Sequence, residues 1–128
     1  MIGLEQRVMD SQVDIRESVL LFAEKIRHDC DIERLILFGS RARGDQKADS
    51  DVDVAVILRG EPGDYVGTRL KLARLAYDVL LETGARIQAH PVWVSEWAAP
   101  DSYSNPLLLE NIERDGITLW SCTNDPAD

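Results

Sequence analysis

The spacing of hydrophobic positions is typical of a helix in some blocks of the chain and of a strand in others. In the first block, from Ser11 to about Arg27, the apolar positions are spaced as on one face of a helix, and Ser11 and Asp14 provide a start signal like a capping box. The apolar residues of that face are Ile15, Val19, Phe22 and Ile26. The pattern predicts an amphipathic helix that packs its apolar face on the rest of the fold.

Two short apolar runs follow the first block. Ile32 to Phe38 ends at Gly39 and is too short for a helix, which is typical of a buried strand. The polar segment from Asp45 to Ser50 has the composition of a turn. Val52 to Leu58 is rich in β-branched residues, which favour strands. The two runs therefore predict two strands separated by a polar turn.

The middle of the chain predicts a long helix and a third strand. After the break at Gly60-Glu61-Pro62-Gly63, apolar positions at helical spacing extend from about Asp64 to Thr83, and Gly84 is placed as a C-cap glycine. Arg86 to Val94 then has strand character. Since Pro91 has no N–H to donate to a sheet, we expect an edge strand or a bulge there.

The last third predicts a short helix and a final strand. Asn105-Pro106 supplies a cap followed by proline at the first helical position, so a helix is expected from about Pro106 to Arg114, stopping at Gly116. Ile117 to Trp120 predicts a short strand, and Ser121 to Asp128 a loose tail. The element order predicts an α/β (α+β) fold, a mixed β-sheet with helices packed on it.

Length and charge limit the functional classes. The 128 residues are enough for one domain, 1–128, with its core at about 32–120, and too few for a second, substrate-binding domain. The formal net charge of −9 argues against direct nucleic-acid binding, which needs clustered Lys and Arg. A nucleotide ligand remains compatible because divalent ions can supply positive charge, and a basic protein partner would also fit.

Cysteine usage and hydropathy predict a cytoplasmic protein. Cys30 and Cys122 lie far apart without metal-binding spacing, so we interpret them as reduced thiols. No apolar run is long enough to cross a bilayer, and the segment Met1-Ile2-Gly3-Leu4-Glu5 lacks the basic region of a signal peptide. We therefore expect neither export nor membrane insertion.

The candidate chemistry lies at the start of the second predicted strand. Asp51 and Asp53 are one residue apart, so in a strand they point to the same face. Two adjacent carboxylates repel each other, and a cation between them relieves that repulsion. Because hard divalent cations prefer oxygen ligands, the pair predicts a Mg²⁺ or Mn²⁺ site.

A phosphate-binding turn is predicted at the end of the first strand. Gly39 lets backbone N–H groups approach phosphate oxygens, and the Ser40 hydroxyl can add a hydrogen bond. Arg41 and Arg43 follow in the sequence and have two interpretations: they flank the phosphates, or they are ordinary surface charges. A P-loop is excluded because Asp45 stands where that motif needs lysine.

These residues together resemble a known family signature. Gly39-Ser40, ten intervening residues and then Asp51-x-Asp53 resemble the polymerase-β-type nucleotidyltransferase superfamily, and the small size resembles its minimal nucleotidyltransferase (MNT) branch. The resemblance implies the polymerase-β-like nucleotidyltransferase fold, with phosphates of a nucleotide such as ATP held by Gly39 and Ser40 and magnesium held by Asp51 and Asp53.

The resemblance also implies a biological setting. Members of the MNT branch are often encoded with a HEPN-type ribonuclease toxin and act as its antitoxin, in some cases by transferring AMP from ATP to a toxin tyrosine. The implied activity is thus a magnesium-dependent protein adenylyltransferase, and the implied partner is a HEPN-type toxin in a hetero-oligomer. A homo-oligomer is the other arrangement left open.

One position departs from the family pattern. Active members usually carry a third carboxylate on a neighbouring strand, where this chain has Gln88 and His90. The acids closest in sequence are Glu82 and Glu96, and neither can be placed at the site from sequence. An antitoxin that neutralises the toxin by binding alone therefore remains an alternative. Transfer to a small molecule is another, and it would need an acceptor pocket shared across a dimer.

Overall fold

The computed structural model describes residues 14–39, 42, 51–103 and 105–122. Its first helix, α1, spans Ile15–Ile26. The Asp14 side chain caps this helix by accepting a hydrogen bond from the N–H of Glu17, so α1 begins four residues after the predicted start at Ser11. Ser11 itself and the predicted turn from Asp45 to Ser50 lie outside the described residues.

In the described part of the chain, four strands form one mixed sheet. They are β1 (Ile32–Phe38), β2 (Val52–Leu58), β3 (Ile87–Trp93) and β4 (Ile117–Ser121), in the spatial order β3-β2-β1-β4. Strand β1 is antiparallel to both of its neighbours, whereas β3 is parallel to β2. The parallel pairing requires a crossover, which the second helix provides.

The helix of the crossover, α2, spans Tyr65–Thr83. Asp64, given by the sequence only as the approximate start of this helix, caps its N-terminus. Gly84 ends the helix in the left-handed conformation at φ 86°, as the sequence predicts. A short helix, α3, spans Val94–Ala98 and was not predicted, because five residues are too few to show a helical period. The last helix, α4, spans Pro106–Asp115 and begins with the Asn105 cap.

The sheet separates two apolar clusters. On one face, alternate residues of β2 pack with α1 and α2, and on the other face the intervening residues pack with α4. Strand β2 is therefore buried on both faces, which explains its nearly continuous apolar sequence. The first face of β2 presents Val52, Val54, Val56 and Leu58, and the second presents Ala55 and Ile57.

The register of β3 explains why a proline is accepted in the sheet. Strand β3 pairs with β2 without interruption from Val52 opposite Ile87 to Leu58 opposite Trp93, so Pro91 causes no bulge. The prediction of an edge strand is confirmed. Strand β4 extends to Ser121, one residue beyond the predicted strand, and residues 123–128 of the predicted tail lie outside the described residues.

Two further sequence expectations concern the cysteines and the membrane. Cys30 and Cys122 are both free thiols, and burial raises the pKa of Cys30. Within the described ranges, no helix combines the length and the apolar character that a bilayer span needs.

Candidate functional site

Asp51 and Asp53 lie at the N-terminal start of β2. Asp53 is opposite Phe38 of β1 and Gln88 of β3, and its neighbours along the strand, Val52 and Val54, are fully buried under the helices on the other face. The two carboxylate side chains remain accessible, with 39% of Asp51 and 33% of Asp53 exposed. The strand period therefore directs both carboxylates to one solvent-accessible face of the sheet, at the end where β2 begins.

Strand β3 brings two polar side chains against this carboxylate pair. Gln88 Nε2 donates to Asp51 Oδ2 at 3.3 Å, and His90 Nε2 lies 3.5 Å from Asp53 Oδ1. The His90 ring packs edge-on against Phe38, with 5.3 Å between ring centroids and 63° between planes. Gln88 and His90 thus occupy the positions beside the pair where a third acid would stand.

Arg86, just before β3, also reaches the pair. Its Nη1 lies 3.6 Å from Asp51 Oδ1, and 63% of the Arg86 side chain is exposed. An exposed ion pair at this distance stabilises the fold by only about 0–1 kcal/mol. Arg86 is therefore free to exchange Asp51 for another anion at little cost. In the sequence, the one indication of this role is that Arg86 lies two residues before Gln88, at the start of the predicted third strand.

Gly39 forms a tight turn directly against Asp53. Its backbone has φ +79°, and a Cβ added there would lie 2.7 Å from Asp53 Oδ2. The Gly39 carbonyl accepts a hydrogen bond from the N–H of Ala42 at 3.1 Å. Only glycine combines this left-handed backbone with so close an approach to the carboxylate.

The other phosphate-binding candidates, Ser40, Arg41 and Arg43, lie outside the described residues. Their assigned roles remain predictions. The backbone turn at Gly39 is the part of the predicted phosphate-binding segment that the structure describes.

The two alternative acids are engaged elsewhere. Glu82 pairs with Lys25 at 2.7 Å and links α2 to α1. Glu96 accepts the N–H of Trp93 at 3.0 Å, at the opposite end of β3 from Gln88. Across residues 14–39, 42, 51–103 and 105–122, no group of three or more His, Cys, Asp or Glu side chains is arranged to hold a metal ion.

The donor set of the site nevertheless fits magnesium. This ion usually keeps several waters and is bound by one or two carboxylates together with substrate phosphates. Asp51 and Asp53 supply two partly exposed carboxylates on one face, next to the Gly39 turn. The arrangement therefore matches a metal that completes its shell with a phosphate ligand.

Tyr103 supports the strand that carries Gln88 and His90. Its hydroxyl donates to the Pro91 carbonyl at 3.2 Å, on the outer side of β3. Burial, the largest cause, raises the pKa of Tyr103 to about 12, so the hydroxyl stays protonated as a donor at neutral pH. No periodicity or motif in the sequence marks this role.

Comparison with known proteins identifies the fold. The model of the nucleotidyltransferase domain family matches residues 19–113. A comparison with curated proteins gives no significant sequence match.

Several solved structures have the same fold at low sequence identity. A putative nucleotidyltransferase from Sulfolobus solfataricus superposes with a TM-score of 0.58 at 20% identity, covering 90% of this chain and 87% of that one. A toxin-antitoxin structure with AMP-PNP gives a TM-score of 0.58 at 20% identity, covering 86% and 76%. The toxin-antitoxin MntA-HepT structure gives 0.51 at 17% identity, covering 88% and 74%. The predicted nucleotidyltransferase fold is thereby confirmed.

Proposed function

We propose, from the premise that this chain belongs to the nucleotidyltransferase domain family, that it transfers AMP from ATP to a HEPN-type ribonuclease toxin and so acts as the toxin's antitoxin. The observation that carries the proposal is the pair Asp51 and Asp53, held on one face of β2 against the left-handed turn at Gly39. The pair provides cation ligands, and Gly39 lets phosphates approach the turn because it has no side chain of its own.

The reaction assigns a role to each described residue of the site. The acceptor hydroxyl oxygen forms a bond to the α-phosphorus of ATP, the bond between that phosphorus and the bridging oxygen breaks, and pyrophosphate leaves. Asp51 and Asp53 would hold magnesium, which when bound neutralises negative charge on the triphosphate oxygens. Arg86 is placed to contact a phosphate once it exchanges Asp51 for that anion.

The proton of the acceptor hydroxyl needs a base. His90 supports this role because its ring is oriented by Phe38 and its Nε2 lies 3.5 Å from Asp53 Oδ1. Imidazole is the side chain most often used for such proton transfer. Gln88 has a positioning role, since its amide donates to Asp51 and limits the rotation of that carboxylate.

The partner assignment has separate support. The structures of similar fold include chains of toxin-antitoxin complexes, one of them with AMP-PNP. The net charge of −9 also favours association with a basic protein such as a ribonuclease. These observations support a toxin as the acceptor rather than a small molecule.

Neutralisation by binding alone is the second candidate function. It is favoured by the absence of a carboxylate at Gln88 and His90, the positions that contact the aspartate pair. In that case the protein would cover the active surface of the toxin, and the site would retain nucleotide binding without transfer.

The direct experiment incubates the protein with the toxin encoded beside it, magnesium and ATP labelled at the α-phosphate. Label on the toxin is expected with the wild-type protein and not with the Asp51→Asn, Asp53→Asn variant. The matched control is Asp29→Asn with Asp101→Asn, which removes two exposed carboxylates away from the site and should transfer normally. If no label appears with magnesium or manganese and the site variant still neutralises the toxin, binding alone is the function.

A further inference from the structure

Within the described part of the chain, strand β3 leaves part of its outer edge unpaired. The N–H of Val52 donates to the carbonyl of Arg86, which fixes the parallel ladder and turns the backbone groups of Gln88 and His90 toward β2. The groups of the alternate residues, Ile87, Ala89, Pro91 and Trp93, therefore point away from the sheet.

The two ends of this edge differ. At the C-terminal end, the Pro91 carbonyl accepts from Tyr103, the Trp93 N–H donates to Glu96, and Pro91 has no N–H to satisfy. At the N-terminal end, no hydrogen bond from another described residue reaches the outward groups of Ile87 or Ala89. These two residues offer two donors and two acceptors, which is what an added extended segment needs.

A groove runs along the open end of the edge. It has a volume of about 200 Å³ and lies between α2, which contributes Arg69, Ala73 and Tyr77, and the segment Arg86–Ala89. Tyr77 is 57% exposed although it borders this groove. We call this feature the edge groove. Its walls give apolar and aromatic surface next to the unpaired backbone, as in other sites that recognise extended peptides.

The charge of the edge groove is opposite to that of the whole chain. Arg69 and Arg86 line it, and none of its lining residues in the described part of the chain is acidic. Arg69 Nη1 donates to the Tyr65 hydroxyl at 3.3 Å rather than to a carboxylate. In a chain of net charge −9, this local positive charge favours an acidic occupant.

The edge groove is also next to the candidate site. Gln88 lines the groove, and its amide contacts Asp51. A strand added to β3 would lie about 5 Å from it, and every second side chain would point to the face that carries Gln88 and His90. The aspartate pair is on β2, which would lie about 10 Å from the added strand. Only a long side chain of the added strand could therefore reach the pair.

We infer that an extended acidic segment of the protein acceptor docks in the edge groove as an added strand on Ile87 and Ala89, presenting a long hydroxyl-bearing side chain to the site. This inference rests on the proposed function, because it describes how the acceptor of that reaction is held. The nucleotide itself is held around Gly39 and the aspartate pair, and Arg86 lies between the two places because it lines the edge groove and also pairs with Asp51.

The test uses ¹⁵N-labelled full-length protein and two blocked hexapeptides, one alternating valine with glutamate and one alternating valine with lysine. The glutamate peptide should shift the amide resonances of Ile87 and Ala89, and the lysine peptide should not. Arg69→Glu should weaken binding of the glutamate peptide by about tenfold or more. Arg74→Glu, the same charge change on the same helix outside the groove, should change it less than about twofold.

A backbone variant tests strand addition. Ala89→Pro removes one outward donor without removing a ladder hydrogen bond to β2, and it should abolish binding of the glutamate peptide. Pro91→Ala, which adds an outward donor, should not weaken binding. Thermal unfolding of each variant checks that the fold is intact, and the Arg69 result stands if Ala89→Pro does not fold.

Several results would overturn the inference. They are the absence of shifts at Ile87 and Ala89, equal binding of both peptides, or equal losses for Arg69→Glu and Arg74→Glu. Shifts at the same amides that depend on protein concentration alone would assign the edge to a second copy of the chain, and saturation by ATP alone would assign the groove to the nucleotide. Failure of the proposed function is a separate result, in which the wild-type protein binds neither ATP nor magnesium while it still binds the peptide.

Discussion

Replacing Gly39 with alanine should separate the cost of its backbone conformation from its effect on Asp53. At φ +79°, an L-residue is destabilised by about 1–2 kcal/mol relative to glycine. The added methyl group would also lie 2.7 Å from Asp53 Oδ2, so the carboxylate must move. Gly60 provides the matched control, because it has φ +88° and no atom within 4 Å of an added Cβ.

Both substitutions should therefore lower the free energy of unfolding by about 1–2 kcal/mol. Only Gly39→Ala should also weaken the binding of Mn²⁺ and of a non-hydrolysable ATP analogue. A displacement near 1 Å can lower activity by about 100-fold, and we expect at least about a tenfold loss in affinity.

Urea unfolding followed by circular dichroism gives the stability of each variant, and calorimetric titration gives the two affinities. The reasoning is refuted if Gly39→Ala binds both ligands within about twofold of the wild-type protein, since the Asp53 carboxylate would then tolerate the methyl group. It is also refuted if Gly60→Ala loses affinity to the same extent, because the loss would then follow from the backbone change alone.

Three further predictions concern other parts of the molecule. Gln88→Glu should tighten Mn²⁺ binding by about tenfold, since it places a third carboxylate beside Asp51, and an unchanged affinity in calorimetric titration would contradict this. Leu72→Ala should lower the free energy of unfolding by about 2–5 kcal/mol, because this side chain is 0% exposed, and a loss below about 1 kcal/mol in urea would count against the core described above. Tyr103 has a pKa raised to about 12, so its contribution to stability should be complete below the pKa of an unfolded tyrosine, about 10, and be lost as the pH rises through 12. A spectroscopic titration at about 295 nm should show this late step, and Tyr103→Phe should remove it.

The strongest local signals predicted elements that the structure confirms. The apolar runs Ile32–Phe38 and Val52–Leu58 have the bounds of β1 and β2, and Gly84 is the C-cap of α2. Pro91 correctly indicated an edge strand, because the missing donor is acceptable only where the backbone points away from the sheet. Elements with few residues carried less information, and α3 gave no helical period to detect.

Only the part of the candidate site at the end of β1 and the start of β2 could be predicted from the sequence. Gly39 and the pair Asp51 and Asp53 are close in sequence and are connected by known strand geometry. Arg86 and Tyr103 were missed, because their roles depend on the register of β3 and on the fold of the segment that follows it.

The sequence by itself determined the element order, the shared face of Asp51 and Asp53, and the family resemblance. These properties follow from side-chain periodicity and from residues that are neighbours in the chain. Only the tertiary structure decided that Gln88 and His90 lie against the aspartate pair and that no other described residue pairs with the outer edge of β3 at Ile87 and Ala89. The physical reason is that pairing of β2 with β3 joins segments more than thirty residues apart, and no local pattern specifies the register of such a pair.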